Sequence, residues 1–295
     1  MAALSEKQFE LGGVVFGLNA PVGLVDDGWD PGSPTRRAST DELPGADGVR
    51  FGKDYNGSAT WGFSLFTNGK NESEAWDFAA ELGSAWSGDD VRTTSELVTP
   101  LRYRLNGQTR RVYGRPQRWT VKPNNLSLVG RIDITCDFEV SDPLVYDDLE
   151  ESEEIGMSAP LDPQAGFIPP FTPPITLGAG QAQRVGQVNI GGDRPTPVWV
   201  RFTGPVAGAK LQTSLWTCQL QDPVGEDDDV VVDARPWVRS ATRESGGGVR
   251  VNPRVTRISR MLLPPGPHDL VFTGTDPTGT AKAVVSWRNA WRSPR

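Results

Sequence analysis

Apolar side chains along this chain recur mostly at every second position. In Thr60-Trp61-Gly62-Phe63-Ser64-Leu65, the residues Trp61, Phe63 and Leu65 share one face of an extended segment. The alternation is cleanest over 131–140. There Ile132, Ile134, Cys136, Phe138 and Val140 point one way, and Asp133, Asp137 and Glu139 the other. Asp142-Pro143 closes that strand, since proline brings no N–H to a ladder. Residues 101–105 and 108–113 flank Asn106-Gly107, a pair that tolerates positive φ at both central positions of a tight hairpin. Their arginines alternate with apolar residues, which predicts one buried and one charged face. A helical period occurs once, over 72–87, where Ala75, Phe78, Ala79, Leu82 and Trp86 form a stripe for core packing. Asn71 is its predicted cap, with Glu74 three residues on, and Gly88 its stop.

The remainder of the first half is less regular. Phe9, Leu11, Val14, Val15, Phe16 and Leu18, broken by glycines, predict one or two short strands. Residues 26–50 are polar and rich in proline, glycine and aspartate. They read as a long loop or extended arm, either a surface excursion or a reach toward a neighbouring subunit. The last third reads as one compact β domain. Its expected strands are 197–205, 230–233, 249–251, 269–272 and 283–288, each β-branched or aromatic and closed by Gly, Pro or Asp. Between the halves, an acidic run at 146–154 precedes six prolines from Pro160 to Pro174, a semi-stiff connector. The expected organisation is a domain at 1–146, a linker at 147–178 and a second domain at 179–295.

Composition agrees with a turn-rich β protein. The chain has 33 Gly, 25 Pro and 10 Trp among 295 residues, too aromatic for disorder. Residues 1–150 carry 15 basic against 23 acidic side chains, which argues against a surface that grips nucleic-acid phosphates. Cys136 and Cys218 are expected to be buried free thiols. No apolar run suits a signal-peptide core or a membrane span, so folding in a reducing cytosol is expected.

Candidate chemistry is sparse. The single His268 sits in a proline turn beside Asp269, without the partners of a nucleophilic triad. One His and two distant Cys do not make a common zinc site. Glu226-Asp227-Asp228-Asp229 lacks the spaced ligands of a calcium loop, and Gly246-Gly247-Gly248 reads as a hairpin tip. No enzyme and no cofactor is expected. Arg102, Arg104, Arg110, Arg111, Arg115 and Arg118 form a basic patch for protein contact or internal pairing.

An ordered set of short motifs is more informative. In the first half these are Ala46-Asp47-Gly48, residues 52–55, Arg111-Val112-Tyr113-Gly114-Arg115-Pro116 and Ser141-Asp142-Pro143-Leu144-Val145-Tyr146. In the second half they are residues 197–205, Val230-Val231-Val232-Asp233, Met261-Leu262-Leu263-Pro264-Pro265-Gly266 and Val284-Val285-Ser286-Trp287-Arg288. In this order and spacing the chain resembles the distal tail proteins (Dit-like minor tail proteins) of long-tailed bacteriophages, those of actinobacteria above all. The resemblance implies a mainly β fold with one helix in the N-terminal domain. That domain would be a split-barrel-like belt, followed by a galectin-like β-sandwich. It implies a virion protein at the distal end of the tail, assembled in the host bacterial cytoplasm. Its partners would be itself, in a hexameric ring, the tail tube protein, the tail-associated hub protein, and receptor-binding or other minor tail proteins. DNA would pass through without specific binding, and no membrane is involved. The long acidic, proline-rich linker departs from the pattern. The candidate ring interface is Asp26, Trp29, Arg36, Arg37, Arg102, Arg104, Arg110, Arg111 and Arg115, with charge reversal at Arg104 and Arg111 as its direct test. The competing readings are a carbohydrate-binding module, stacking host cell-wall sugars on Trp237 or Trp291, and, more remotely, a cell-wall hydrolase.

Overall fold

The computed structural model describes residues 3–158 and 185–294. The proline-rich part of the expected linker, from 159 to 178, lies outside the described residues. The chain divides into two compact units, Met1–Leu149 with Ala290–Arg295, and Glu150–Asn289. The second unit is therefore an insertion in the first.

In the first unit the strands are β1 (Gln8–Leu11), β2 (Val14–Gly17), β3 (Val22–Asp30), β4 (Arg36–Arg37), β5 (Thr40–Glu42), β6 (Val49–Phe51), β7 (Tyr55–Asn56) and β8 (Ala59–Thr67). Helix α1 (Glu72–Ser87) and the single turn α2 (Asp89–Arg92) follow. Then come β9 (Thr99–Leu105), β10 (Gln108–Lys122), a 3-10 turn (Asn125–Val129), β11 (Asp133–Val140) and β12 (Val145–Asp147). The main sheet is antiparallel in the order β2-β1-β9-β10-β11-β8-β3, with β12 on β10. It rolls on itself, because Phe9 of β1 meets Phe63 of β8 at 5.2 Å and Trp29 of β3 at 5.4 Å between ring centroids, across strands that are not neighbours. Phe16, Trp61, Trp86 and Tyr103 complete an aromatic core. Such rings bring large apolar area and favour the edge-to-face contacts seen here.

The local signals act as their chemistry dictates. The Asn71 side chain accepts the amide of Glu74, the Glu74 carboxylate accepts that of Lys70, and Gly88 ends α1 in the left-handed region. Ala75, Ala79, Leu82 and Trp86 are buried. Asn106 and Gly107 have φ of 52° and 75°, the mirror-image turn that matches strand twist. Glu6 adds a clamp, its carboxylate accepting the amides of both turn residues. Strand β11 buries every second residue from Ile134 to Val140.

The second unit contains β13 (Glu151–Gly156), β14 (Val185–Ile190), β15 (Thr196–Pro197), β16 (Trp199–Thr203), β17 (Ala207–Gln212), β18 (Thr217–Gln219), β19 (Val230–Asp233), β20 (Ser240–Arg243), β21 (Leu262–Leu263), β22 (Gly266–Thr275) and β23 (Lys282–Trp287). Sheets β13-β23-β16-β19-β20 and β14-β22-β17-β18 enclose one core, with Phe202 and Phe272 meeting at 5.7 Å between them.

Three sequence expectations are corrected. Residues 147–156 are not linker: β12 ends at Asp147 and β13 spans Glu151–Gly156. β13 is an edge strand whose outward glutamates mask its period; Glu154 meets Lys282 at 2.8 Å while Ile155 turns inward. Residues 290–294 belong to the first unit, where β24 (Ala290–Trp291) pairs with β12. Val249 to Val251 form no strand, only a bridge from Leu220 to Val251.

Replacing the α1 cap, Asn71→Ala, should leave the Glu74 amide without its acceptor. A loss of about 1 kcal/mol in urea unfolding is expected; an unchanged midpoint would show that the Glu74–Lys70 bond suffices.

Candidate functional site

The register of the β9–β10 hairpin decides where its arginines go. Arg111 lies opposite Arg102, while Arg110 lies opposite Tyr103. Since side chains alternate between faces, Arg102 and Arg111 share one face and Arg110 sits on the other. Two like charges directly opposite each other repel. Here Asp148, just past β12, lies between them. It takes two bonds from Arg102, at 2.9 and 2.7 Å, and two from Arg111, at 2.9 and 2.5 Å. Glu10, the β1 residue opposite Arg102, adds a contact at 2.6 Å. Both arginines are about 6% exposed. Burial alone would raise the Asp148 carboxyl, but hydrogen bonds from Arg102 and then Arg111 outweigh it and hold the group below its ordinary value.

Arg110, on the Tyr103 face, is covered by the returning chain. Its guanidinium lies 4.5 Å from the Trp291 ring centroid and donates to the Ser293 carbonyl at 3.2 Å. Trp291 Nε1 donates to Asp147, and Tyr103 Oη to the Pro294 carbonyl. Residues 290–294 thus strap this face of the first unit.

The predicted interface residues accordingly separate. Arg102, Arg110 and Arg111 are buried and internally paired, so neither face of the hairpin is the open charged surface expected. Reversing Arg111 would therefore test folding rather than an interface. Arg115 is tied to the carbonyls of Leu97 and Thr94, both at 2.8 Å, and Arg104 is half-buried. Trp29 packs into the core at 5.3 Å from Trp61 and 5.9 Å from Tyr103. Asp26, Arg36 and Arg37 are exposed. Of the sugar-stacking candidates, Trp291 lies in the first unit with Arg110 on one face, and Trp237 is half-buried. His268 Nε2 is 2.7 Å from the Pro264 carbonyl oxygen. Among the described residues no three His, Cys, Asp or Glu are grouped to hold a metal. Both cysteines are free and buried, and burial pushes the Cys218 thiol up to about 12.

What the periodicity missed is the form of residues 31–58. This stretch is an antiparallel hairpin, β4 on β7 and β5 on β6, turned at Leu43-Pro44-Gly45-Ala46. Every residue from 32 to 56 is exposed, including Leu43, Val49, Phe51 and Tyr55. The available signal was Val49-Arg50-Phe51 between Gly48 and Gly52, a short strand between turn residues.

Asp148→Asn should leave two buried guanidiniums facing each other. A loss of roughly 3 kcal/mol is expected. The native carboxyl is held low, so its contribution is full above its unfolded value, about 3.9, and fades as the pH falls through the lower folded value. Wild-type stability should therefore drop in acid more steeply than that of Asp148→Asn; parallel pH profiles would exclude this linkage.

No family model matches the chain, and no curated protein matches its sequence. Solved structures do match. The Dit protein (gp 19.1) of phage SPP1, described as a paradigm of the hub adsorption apparatus in phages infecting Gram-positive bacteria, is 12% identical over 96% of this chain and 98% of its own, with a TM-score of 0.56. A chain of the phage P2 baseplate in its activated conformation is 11% identical over 96% and 97%, with a TM-score of 0.51. A rolled sheet carrying an exposed hairpin arm, interrupted by an inserted two-sheet unit, therefore has the fold of the phage Dit protein.

Proposed function

We propose that this chain is a structural protein of a phage tail tip, one that forms a ring joining the tail tube to the hub and leaving a channel for DNA. The observation that carries the reading is the likeness to a hub protein over nearly the whole of both chains. Baseplate chains matched over a similar span support it. The physical chemistry is compatible. The acidic excess in residues 1–150 would repel rather than hold passing phosphates. Arg102 and Arg111 are buried against Glu10 and Asp148 and present no cation to a phosphate. In this reading the first unit builds the ring, through the exposed Asp26 of β3 and the exposed Arg36 and Arg37 of the arm. The second unit faces outward to hub or receptor-binding neighbours. The subunit number is six, and the location is the distal end of the tail, after assembly in the host cytoplasm.

Light scattering with negative-stain imaging of the purified protein should show a ring with a central hole. A chain that stays monomeric both alone and with the tail tube protein would overturn the reading. Arg36→Glu with Arg37→Glu should weaken ring assembly without lowering thermal stability, since both side chains are exposed and their strand pairing uses backbone groups. Assembly at wild-type strength would remove them from the interface.

A further inference from the structure

Between Glu244 and Asp269 the chain has no acidic residue and four arginines, Arg250, Arg254, Arg257 and Arg260. Their placement follows from a sheet edge in the second unit. β18 is the last strand of the sheet β14-β22-β17-β18, and residues 250–262 run along its open side. The Asn252 backbone N–H donates to the Gln219 carbonyl at 2.9 Å, and the Gln219 backbone N–H donates to Thr256 Oγ1 at 2.8 Å. Asn252 Nδ2 also donates to Gln219 Oε1, at 3.1 Å. Farther along, Trp216 Nε1 donates to the Leu262 carbonyl at 3.2 Å. Thr256 and Met261 are buried and Ile258 packs on the core, whereas Arg254, Arg257 and Arg260 face solvent.

The four arginines differ in their partners. Arg250 is held by Asp222 at 2.6 Å. The guanidiniums of Arg254, Arg257 and Arg260 have no ion-pair or hydrogen-bond partner among the described residues. Apolar side chains are exposed beside them. Among the described residues of the second unit, the large apolar side chains left exposed are Val185, Leu215, Val255 and Leu262. Three of these lie along this one edge: Val255, at 46%, between Arg254 and Arg257; Leu262, at 36%; and Leu215, at 55%, next to the Trp216 that bonds to Leu262. Apolar residues exposed singly carry no meaning. Three on one edge among free guanidiniums have the make-up of a protein contact, which favours arginine and an apolar centre. No Phe, Tyr or Trp lies between Trp237 and Phe272, so the segment has no ring on which a base or a sugar could stack. A phosphate polymer would satisfy the guanidiniums and leave the three apolar side chains wet.

We propose that this edge of the second unit docks an acidic protein surface, on another component of the tail tip, whose Asp and Glu side chains flank an apolar patch. The proposal rests on the tail-tip reading and names the chemistry of the neighbour that the second unit meets. Arginine forks take carboxylates two bonds at a time, and Leu215, Val255 and Leu262 supply area to be withdrawn from water. The backbone that carries the arginines is already pinned by Asn252 and Thr256, so binding has little left to order there. With the charges at its rim, such a contact forms fast and weakens as salt is added.

The test replaces Ser259, exposed between Arg257 and Arg260, by a photoreactive benzoylphenylalanine in the full chain, expressed together with the tail tube and tail-tip proteins of the same phage. Irradiation should join it to a different tail-tip protein, at a segment where Asp and Glu outnumber Lys and Arg; mass spectrometry of the joined peptide reads this. Arg254→Glu, Arg257→Glu and Arg260→Glu together should keep the melting temperature, because all three side chains are exposed, and should cut the crosslink yield at least about tenfold. Lysines in place of the acidic residues of the joined segment should restore the yield to that triple variant. Leu215→Ser should lower the yield as well, which a purely electrostatic contact would not show. Crosslinks to nucleic acid, to glycan or to a second copy of this chain overturn the proposal, as does a yield that either variant leaves unchanged. Rings that form on the tail tube with no crosslink from position 259 overturn the docking edge and leave the tail-tip reading standing. A chain that forms no ring and crosslinks to none of these proteins overturns both.

Discussion

The first unit depends on one carboxylate. The hairpin register sets Arg102 and Arg111 side by side on one face, an arrangement that repels until an anion separates the pair. Asp148 is that anion, bonded to both. Its position follows from β12, which lies along β10 at Arg110 and Arg111 and delivers the next residue to the gap. Ion pairs of this depth add little net stability, but removing one partner leaves charge without compensation. The pair therefore acts as a constraint on the path of the chain: β12 must dock on β10 before it leaves for the second unit.

The same strand receives the returning chain. β24 adds to β12, and Trp291 and Pro294 cover Arg110 and Tyr103. Charge on one face and aromatic stacking on the other thus cover Arg102, Arg110 and Arg111. Apolar side chains of the first unit are exposed elsewhere, among them Leu43, Val49, Phe51 and Tyr55 of the arm. Contiguous exposed apolar surface on a folded chain commonly marks a contact site.

Much of this was legible from local chemistry. The α1 cap, the Asn106-Gly107 turn and the alternation of β11 depend on neighbours in sequence, and the structure follows them. The arginine hairpin was misread because alternation states which residues share a face, not what covers that face. Glu10 lies 92 positions from Arg102, and Ser293 lies 183 from Arg110. The insertion was hidden for a similar reason. Nothing in Ala290-Trp291 distinguishes a strand that extends the preceding domain from one that returns to an earlier one. The outward glutamates of β13 imitated a linker, since an edge strand shows solvent one row of charges. The arm was legible as polar and long, whereas its pairing and exposed aromatic emerged only from the ladder.

The insertion has a mechanical consequence. The second unit is held by two backbones, one leaving β12 and one entering β24, and these strands are antiparallel neighbours with Tyr146 opposite Ala290. The leaving end of one strand and the entering end of the other therefore lie at the same end of their shared ladder. Tension on the inserted unit draws both strands the same way, so it does not peel one from the other. The load passes instead into β10, where the buried ion pairs resist it: an anchorage with two cables fixed to one bulkhead.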